Sequence, residues 1–268
     1  MVLTVAMFTA TALLAIPAAN AATRTPIYDN VPSPLPGNVD SVSFESYAIS
    51  ELGGQVEFAG TARNRPTVKV VMSSWACQSG YYSLGNCSTS PGATFSHPLT
   101  IRVYAVGVND EPGALIGAVT RTFSMPYRPS ANYTKCTDAN AGKWYKRTTG
   151  TCHNGKAFAR TVSLGSLTLP DKVIISIAYN TTHAGYSPIG ESAACYATTA
   201  GCAYDTLNAG LTTNSPPSVG AQPLPNDAYL NAAQNDAYCD DGTGGLGTFR
   251  LDAGCWTGYQ PAFRVTAL

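Results

Sequence analysis

The stretch NTTHAGYSPIGESAACYATTAGCAYD, residues 180–205, sets His183 among hydroxyls, with Tyr186, Tyr196 and Tyr204 around the cysteines Cys195 and Cys202. Imidazole titrates near neutral pH, so His183 has the chemistry of a general base beside Ser187 or Glu191. A serine hydrolase built on a nucleophile elbow would carry G-x-S-x-G, and the sequence contains none. His183 is therefore read as a polar lining residue in a recognition loop. His97 precedes Pro98 at a strand edge, and His153 follows Cys152 at an Asn-Gly turn. No H-x-x-x-H or C-x-x-C spacing unites the histidines or cysteines into a zinc site.

Carboxylates offer a second chemistry. Glycoside hydrolysis needs two of them across a cleft, and the glutamates are Glu45, Glu51, Glu57, Glu111 and Glu191. Glu45 and Glu57 fall on strand patterns where a solvated face accounts for them, so no pair stands out. A secreted hydrolase with acids drawn from separate loops is the alternative function. In QNDAYCDDGTGGLG, residues 234–247, Asp236, Asp240 and Asp241 form a weak calcium candidate, but the alternating acidic loop with its closing Glu is missing and an Asp-Gly turn is favoured. The G-x-G-x-x-G at Gly242, Gly244 and Gly247 lacks a following helix and acid, so it is not a dinucleotide site. No cofactor is expected.

The aromatic residues point to binding. Tyr81 and Tyr82 lie between Cys77 and Cys87, Trp144 and Tyr145 between Cys136 and Cys152, and Tyr186 and Tyr196 beside Cys195 and Cys202. Rings with polar neighbours on rigid loops suit sugars or protein surfaces, which offer both an apolar face and hydroxyls. The competing role is to close small cores beneath the loops, which is expected of Trp75 and Trp256.

These loops need a frame. Eight cysteines fall as four neighbouring couples, with Cys239 and Cys255 the last, and each couple brackets residues typical of loops, so neighbour pairing into four disulfides is expected. Period-two alternation recurs in short bursts: SVSFESYAI (41–49), GQVEFAGTA (54–62), TVKVVMSSWA (67–76), LTIRVYAV (99–106), ALIGAVTRTFSM (114–125), AFARTVSL (157–164), KVIISIAYNT (172–181), GTFRLD (247–252) and AFRVTAL (262–268). The fold expected is all-β, two packed antiparallel sheets forming a β-sandwich of jelly-roll or Ig-like type. The proline-rich TTNSPPSVGAQPLPN, 212–226, reads as a long surface crossing, and residues 22–268 as one domain.

The first 21 residues form an apolar run ending in Ala19-Asn20-Ala21, the pattern of a cleaved export signal. Its missing basic start points to initiation upstream. Export into an oxidising compartment agrees with the cysteines. With 16 acidic and 16 basic residues, the chain is 12% charged against about 25% in average proteins, which argues against nucleic acid as a partner. Basic residues gather in 135–160 and acidic ones in 205–252, and packing of two loops of opposite sign is the simplest expectation.

DEPGALIGAVTRTF, VSLGSLTLPDKVIISIAYNTTHAGY and the opening IYDNVPSPLPGNVDSVSFESYAISELGGQVEFAG resemble the bacterial extracellular jelly-roll domains of exported surface proteins, including those with varied C-terminal anchors. The resemblance implies the fold and export and assigns no activity. Where those proteins carry an anchor this sequence stops at Leu268, and no transmembrane anchor is expected in the mature chain. The expectation is a secreted or cell-surface protein that binds or builds rather than catalyses, with an extracellular polysaccharide or surface protein as partner.

Overall fold

A computed structural model of the chain describes residues 23–82, 84–180, 207–213 and 216–268. Residues 1–21, expected to be an export signal, His183, Tyr186, Tyr196 and the Cys195 and Cys202 couple lie outside the described residues.

The described chain is all-β and antiparallel. Its strands are β1 (Thr25–Asp29), β2 (Ser41–Ser43), β3 (Ile49–Glu57), β4 (Thr67–Ser74), β5 (Thr94–Val106), β6 (Pro112–Pro126), β7 (Trp144–Lys146), β8 (Thr151–His153), β9 (Lys156–Ser163), β10 (Lys172–Ala178), β11 (Leu207–Thr212), β12 (Ala228–Ala232), β13 (Arg250–Asp252), β14 (Gln260–Pro261) and β15 (Phe263–Ala267). In the first sheet β9 pairs with one edge of β4, while β15 and β11 share the other edge in series. β15 faces Thr67 to Val70 and β11 faces Met72 to Ser74, with β1 outside β15 and β2 outside β11. The second sheet runs β13-β12-β3-β10-β5-β6. β7 and β8 form a separate hairpin.

Alternation decides what lies between the sheets. Leu99, Ile101 and Val103 of β5 point inward and are fully buried, leaving Thr100, Arg102 and Tyr104 on the outer face. Burial of each such aliphatic side chain stabilises by about 1.5–3 kcal/mol. From the second sheet, Leu52, Val56, Val173, Ile175, Ile177 and Leu230 join them, and from the first, Val68, Val70, Met72, Val162, Phe263 and Val265, all in one core cluster. The two sheets are thus the halves of a β-sandwich. In β10, Ile174 and Ser176 on the outer face are also fully buried, as a central strand apolar on both faces predicts.

The segment 41–49 departs from its pattern. Only Ser41–Ser43 pairs as a strand, and residues 44–48 turn, closed by the bond from Ile49 N–H to the Phe44 carbonyl at 2.8 Å. Phe44 stacks on Tyr179 with centroids 4.0 Å apart, and Glu45 is buried rather than solvated. His97, expected at a strand edge, is likewise buried within β5. The 212–226 region does cross the surface, bridging Asp29 through Val219 and Glu57 through Ala221.

Chain direction brings the stapled loops to one end. Residues 75–93 leave the end of β4 and enter β5, and residues 127–155 leave β6 and enter β9, so both cross between sheets at the end where β10 finishes and β11 begins. Disulfides join Cys77 to Cys87, Cys136 to Cys152 and Cys239 to Cys255. Such bonds form and persist in an oxidising environment. No helix among the described residues is long and apolar enough to cross a membrane.

Candidate functional site on the outer face of the second sheet

The outer face of the second sheet carries a charge that sequence pattern alone does not rank above its neighbours. Glu51 lies on β3, one strand from Ser176 and two from Arg102 and Tyr104, and its side chain is only 3% exposed. Its Oε2 accepts a hydrogen bond from Arg102 Nη1, and its Oε1 accepts from Ser176 Oγ at 2.5 Å and Tyr104 Oη at 3.0 Å. A buried carboxylate is tolerated only with such partners. Burial first, and the Glu51 charge second, push the Tyr104 phenol up to about 12. Glu51 therefore holds Arg102 in place while leaving the guanidinium side chain 36% exposed.

Beside Arg102 the face sinks into two adjoining depressions. One, of about 300 Å³, is lined by Arg102, Thr100, Ser50, Asn180 and Asn231 with Ala178 and Tyr179. The other, of about 320 Å³, shares Ser50, Asn180 and Asn231 and continues to Ala48, Ala233 and Gly247. Ser50 Oγ donates to the Asn231 carbonyl at 3.3 Å, tying β3 to β12 at the shared wall. Asn180 Oδ1 is buried and has no hydrogen-bond partner among the described residues, an acceptor that a water or ligand hydroxyl would satisfy. The lining carries amides, hydroxyls and one guanidinium, with no Asp or Glu among its described residues.

The far side of the face is walled by rings. Phe249 lies over Tyr104, 5.1 Å between centroids, and over Tyr229 at 6.0 Å. Gly53 makes room for it: a Cβ there would stand 3.0 Å from Phe249 Cζ and 2.8 Å from the Ile175 carbonyl oxygen. Beneath, the Tyr229 hydroxyl lies 2.7 Å from Gln55 Oε1 and 2.6 Å from the Asp110 carbonyl oxygen. Burial and the nearby carboxylates of Asp110, Glu111 and Asp227 raise the Tyr229 phenol far above its ordinary value.

The aromatic loop residues occupy a different place. Trp144 is 7% exposed, donates its indole N–H to the Gly155 carbonyl at 2.7 Å and packs on the His153 ring at 5.1 Å. It closes the small core under the loops, so the ligand-facing role expected for it is corrected. Tyr82 is half-buried and set edge-on to Trp75 at 4.9 Å, and Tyr81 and Tyr145 are half-buried too. The two stapled loops interlock as one cap. Ala131 N–H donates to the Cys87 carbonyl, Arg128 N–H to that of Ala76 and Tyr133 Oη to that of Gly85. At Gly85 and Gly142 the backbones touch: a Cβ on Gly142 would sit 2.5 Å from Gly85 Cα.

Asp240, of the weak calcium candidate, is engaged within its own loop. Asp240 Oδ1 accepts from Arg250 Nη2 at 2.8 Å and Gly242 N–H at 3.0 Å, and Oδ2 accepts from Gly244 N–H at 2.9 Å. The carboxylate thus organises its own loop around a guanidinium, whose hydrogen bond lowers its pKa. Asp236 and Asp241 join it in no metal-ligating group among the described residues. Among the described residues such a grouping comprises Cys239, Asp252 and Cys255, whose two sulfurs are bonded to each other. Asp252 Oδ2 accepts from the Trp256 indole N–H at 2.7 Å and Oδ1 from Cys239 N–H at 2.9 Å, a structural role.

Fold and site together define an antiparallel β-sandwich, stapled at one end, with a polar depression on the open face of one sheet. Comparison with protein-family models, with curated proteins and with solved structures finds no match.

Proposed function

We propose that the protein is an exported, non-catalytic binding module whose ligand is an extracellular polysaccharide, taken at the depression shared by Ser50, Asn180 and Asn231 beside Arg102. The observation that carries this reading is the guanidinium fixed by a buried carboxylate next to a wall of amides and hydroxyls. Sugar hydroxyls both donate and accept, and such a lining answers both while the half-buried rings of Tyr104 and Phe249 offer an apolar surface. A glycosidase would need paired carboxylates at the reacting centre, and this lining supplies none among the described residues. Disulfides and the apolar leader support export.

The test is the affinity of oxidised protein for soluble oligosaccharides from whichever polymer retains it, compared with Arg102→Ala and Asn231→Ala. The site predicts a loss of about tenfold or more for each, the worth of one charge-assisted or amide contact at a desolvated site. Unchanged affinity in both variants would remove the depression from the account.

A further inference from the structure

Six of the 16 basic residues of this chain without net charge fall within 26 consecutive positions. Residues 135–160 carry Lys135, Lys143, Lys146, Arg147, Lys156 and Arg160 against Asp138 alone, and residues 75–93 carry no charge. Among the described residues no ion pair joins this stretch to the acidic 205–252 stretch, against which packing is the simplest expectation. The ion pairs among the described residues are Arg63 with Asp171, Arg102 with Glu51, Lys172 with Glu57, Arg250 with Asp240 and Arg264 with Asp29. None involves a cap cation, and the acidic Asp240 is satisfied within its own loop.

Neighbouring cations act on two groups of this stretch. His153, held low first by burial, is lowered further by Lys146 and Lys143, and Lys156, again first by burial, is lowered by Arg160. Inside the same cap Arg128 is buried, donates from Nη2 to the Gly142 carbonyl at 2.8 Å and has no carboxylate partner among the described residues. Two disulfides and the Gly85 and Gly142 contact fix this arrangement. Like charges gathered on a rigid element cost stability unless a counter-charge arrives.

We infer that the stapled cap is a docking surface for a polyanionic polysaccharide, a carboxylated or sulfated chain whose charges meet Lys143, Lys146 and Arg147. This rests on the carbohydrate reading above for the class of polymer, but on another surface at the same end of the sandwich. Tyr133, 60% exposed, and half-buried Tyr145 place rings among the cations, as a sugar chain uses. An anionic membrane is the weaker fit, because Leu84 is the one large exposed aliphatic side chain among the described residues of the cap, short of the apolar face that interfacial binding takes.

The experiment uses the full oxidised chain with neutral dextran, carboxymethyl dextran and anionic phospholipid vesicles as probes. The prediction is binding to carboxymethyl dextran on the order of tenfold tighter than to dextran, falling on the order of tenfold between about 50 and about 200 mM salt as about three contacts release counterions. Lys143→Gln/Lys146→Gln/Arg147→Gln abolishes that preference and its salt dependence, while thermal unfolding shows the fold intact. Arg102→Ala lowers affinity for both dextrans and keeps the preference between them. Equal binding of the two dextrans, no binding of either, a preference that survives the triple substitution, or vesicle binding as tight as carboxymethyl dextran binding each overturns the inference. The first of these leaves the binding-module reading standing, whereas a loss of all polymer binding sinks both.

Discussion

Glu51 is the residue on which the candidate site turns, and its environment makes sharp claims. Glu51→Ala leaves Arg102, Tyr104 and Ser176 without their common acceptor; because Arg102 can turn to solvent, the cost comes mainly from the buried hydroxyl left unsatisfied, about 1–3 kcal/mol, read by denaturant unfolding. In Glu51→Gln the Tyr104 phenol, now pushed up to about 12, titrates closer to its ordinary value because one of its two main causes is gone. Alkaline ultraviolet difference spectra would show it. An unmoved Tyr104 would mean that burial alone sets its pKa. Trp144 makes the opposite kind of claim. With its ring buried and hydrogen-bonded, Trp144→Ala costs about 3–5 kcal/mol of stability, whereas a ligand-facing ring would lose affinity with little effect on unfolding. Part of this was legible in the chain: the alternation of LTIRVYAV correctly sends Arg102 and Tyr104 to the outer face. Nothing in the residue types marks Glu51 over Glu57, since its distinction comes from being registered, on a central strand, against neighbours far away in sequence.

At the scale of elements, local alternation found the long strands and missed those whose stability is borrowed. β11, LNAGLT, and β12, AYLNA, hold few β-branched residues and are strands because β4 and β3 pair with them. Small residues suit β11 because other backbone presses on it: a Cβ at Gly210 would stand 2.8 Å from the Val71 carbonyl oxygen. In 41–49 the alternation misled, because a turn buries Phe44 against Tyr179 as well as a strand would. Neighbour pairing of cysteines was readable, since short loops leave few other routes, and three of the four expected bridges fall on described residues and form as expected. The Cys136 and Cys152 bridge spans 16 residues, and a disulfide of that loop length contributes about 3 kcal/mol by restricting the unfolded chain. Cys136→Ser/Cys152→Ser should therefore lower the unfolding free energy by about that amount and loosen the cap, detectable as faster amide exchange in residues 127–155. Unaltered exchange there would show that the cap's hydrogen bonds suffice without the staple.

The whole molecule has a pH signature set by its tyrosines. Burial raises the phenols of Tyr28, Tyr82, Tyr104, Tyr179, Tyr229 and Tyr238 from the ordinary value of 10.0. Above that pH the unfolded chain loses phenolic protons that the folded chain keeps, so the folded state binds more protons and stability falls as pH rises. The stabilisation is fully present below pH 10.0 and drains away as the folded values are approached. Denaturant midpoints should fall steeply past that pH, and a flat profile there would contradict the burial of these rings. Net neutrality hides a second feature, a local excess of cations over 135–160, none of which forms an ion pair among the described residues.

The central claim, a binding module rather than a hydrolase, is tested most directly by incubating the oxidised protein with a panel of insoluble polysaccharides and measuring both the bound fraction and the sugar released. Retention on at least one polymer with no release is expected, with loss of that retention in Arg102→Ala. Released sugar, or retention indifferent to Arg102, would contradict it.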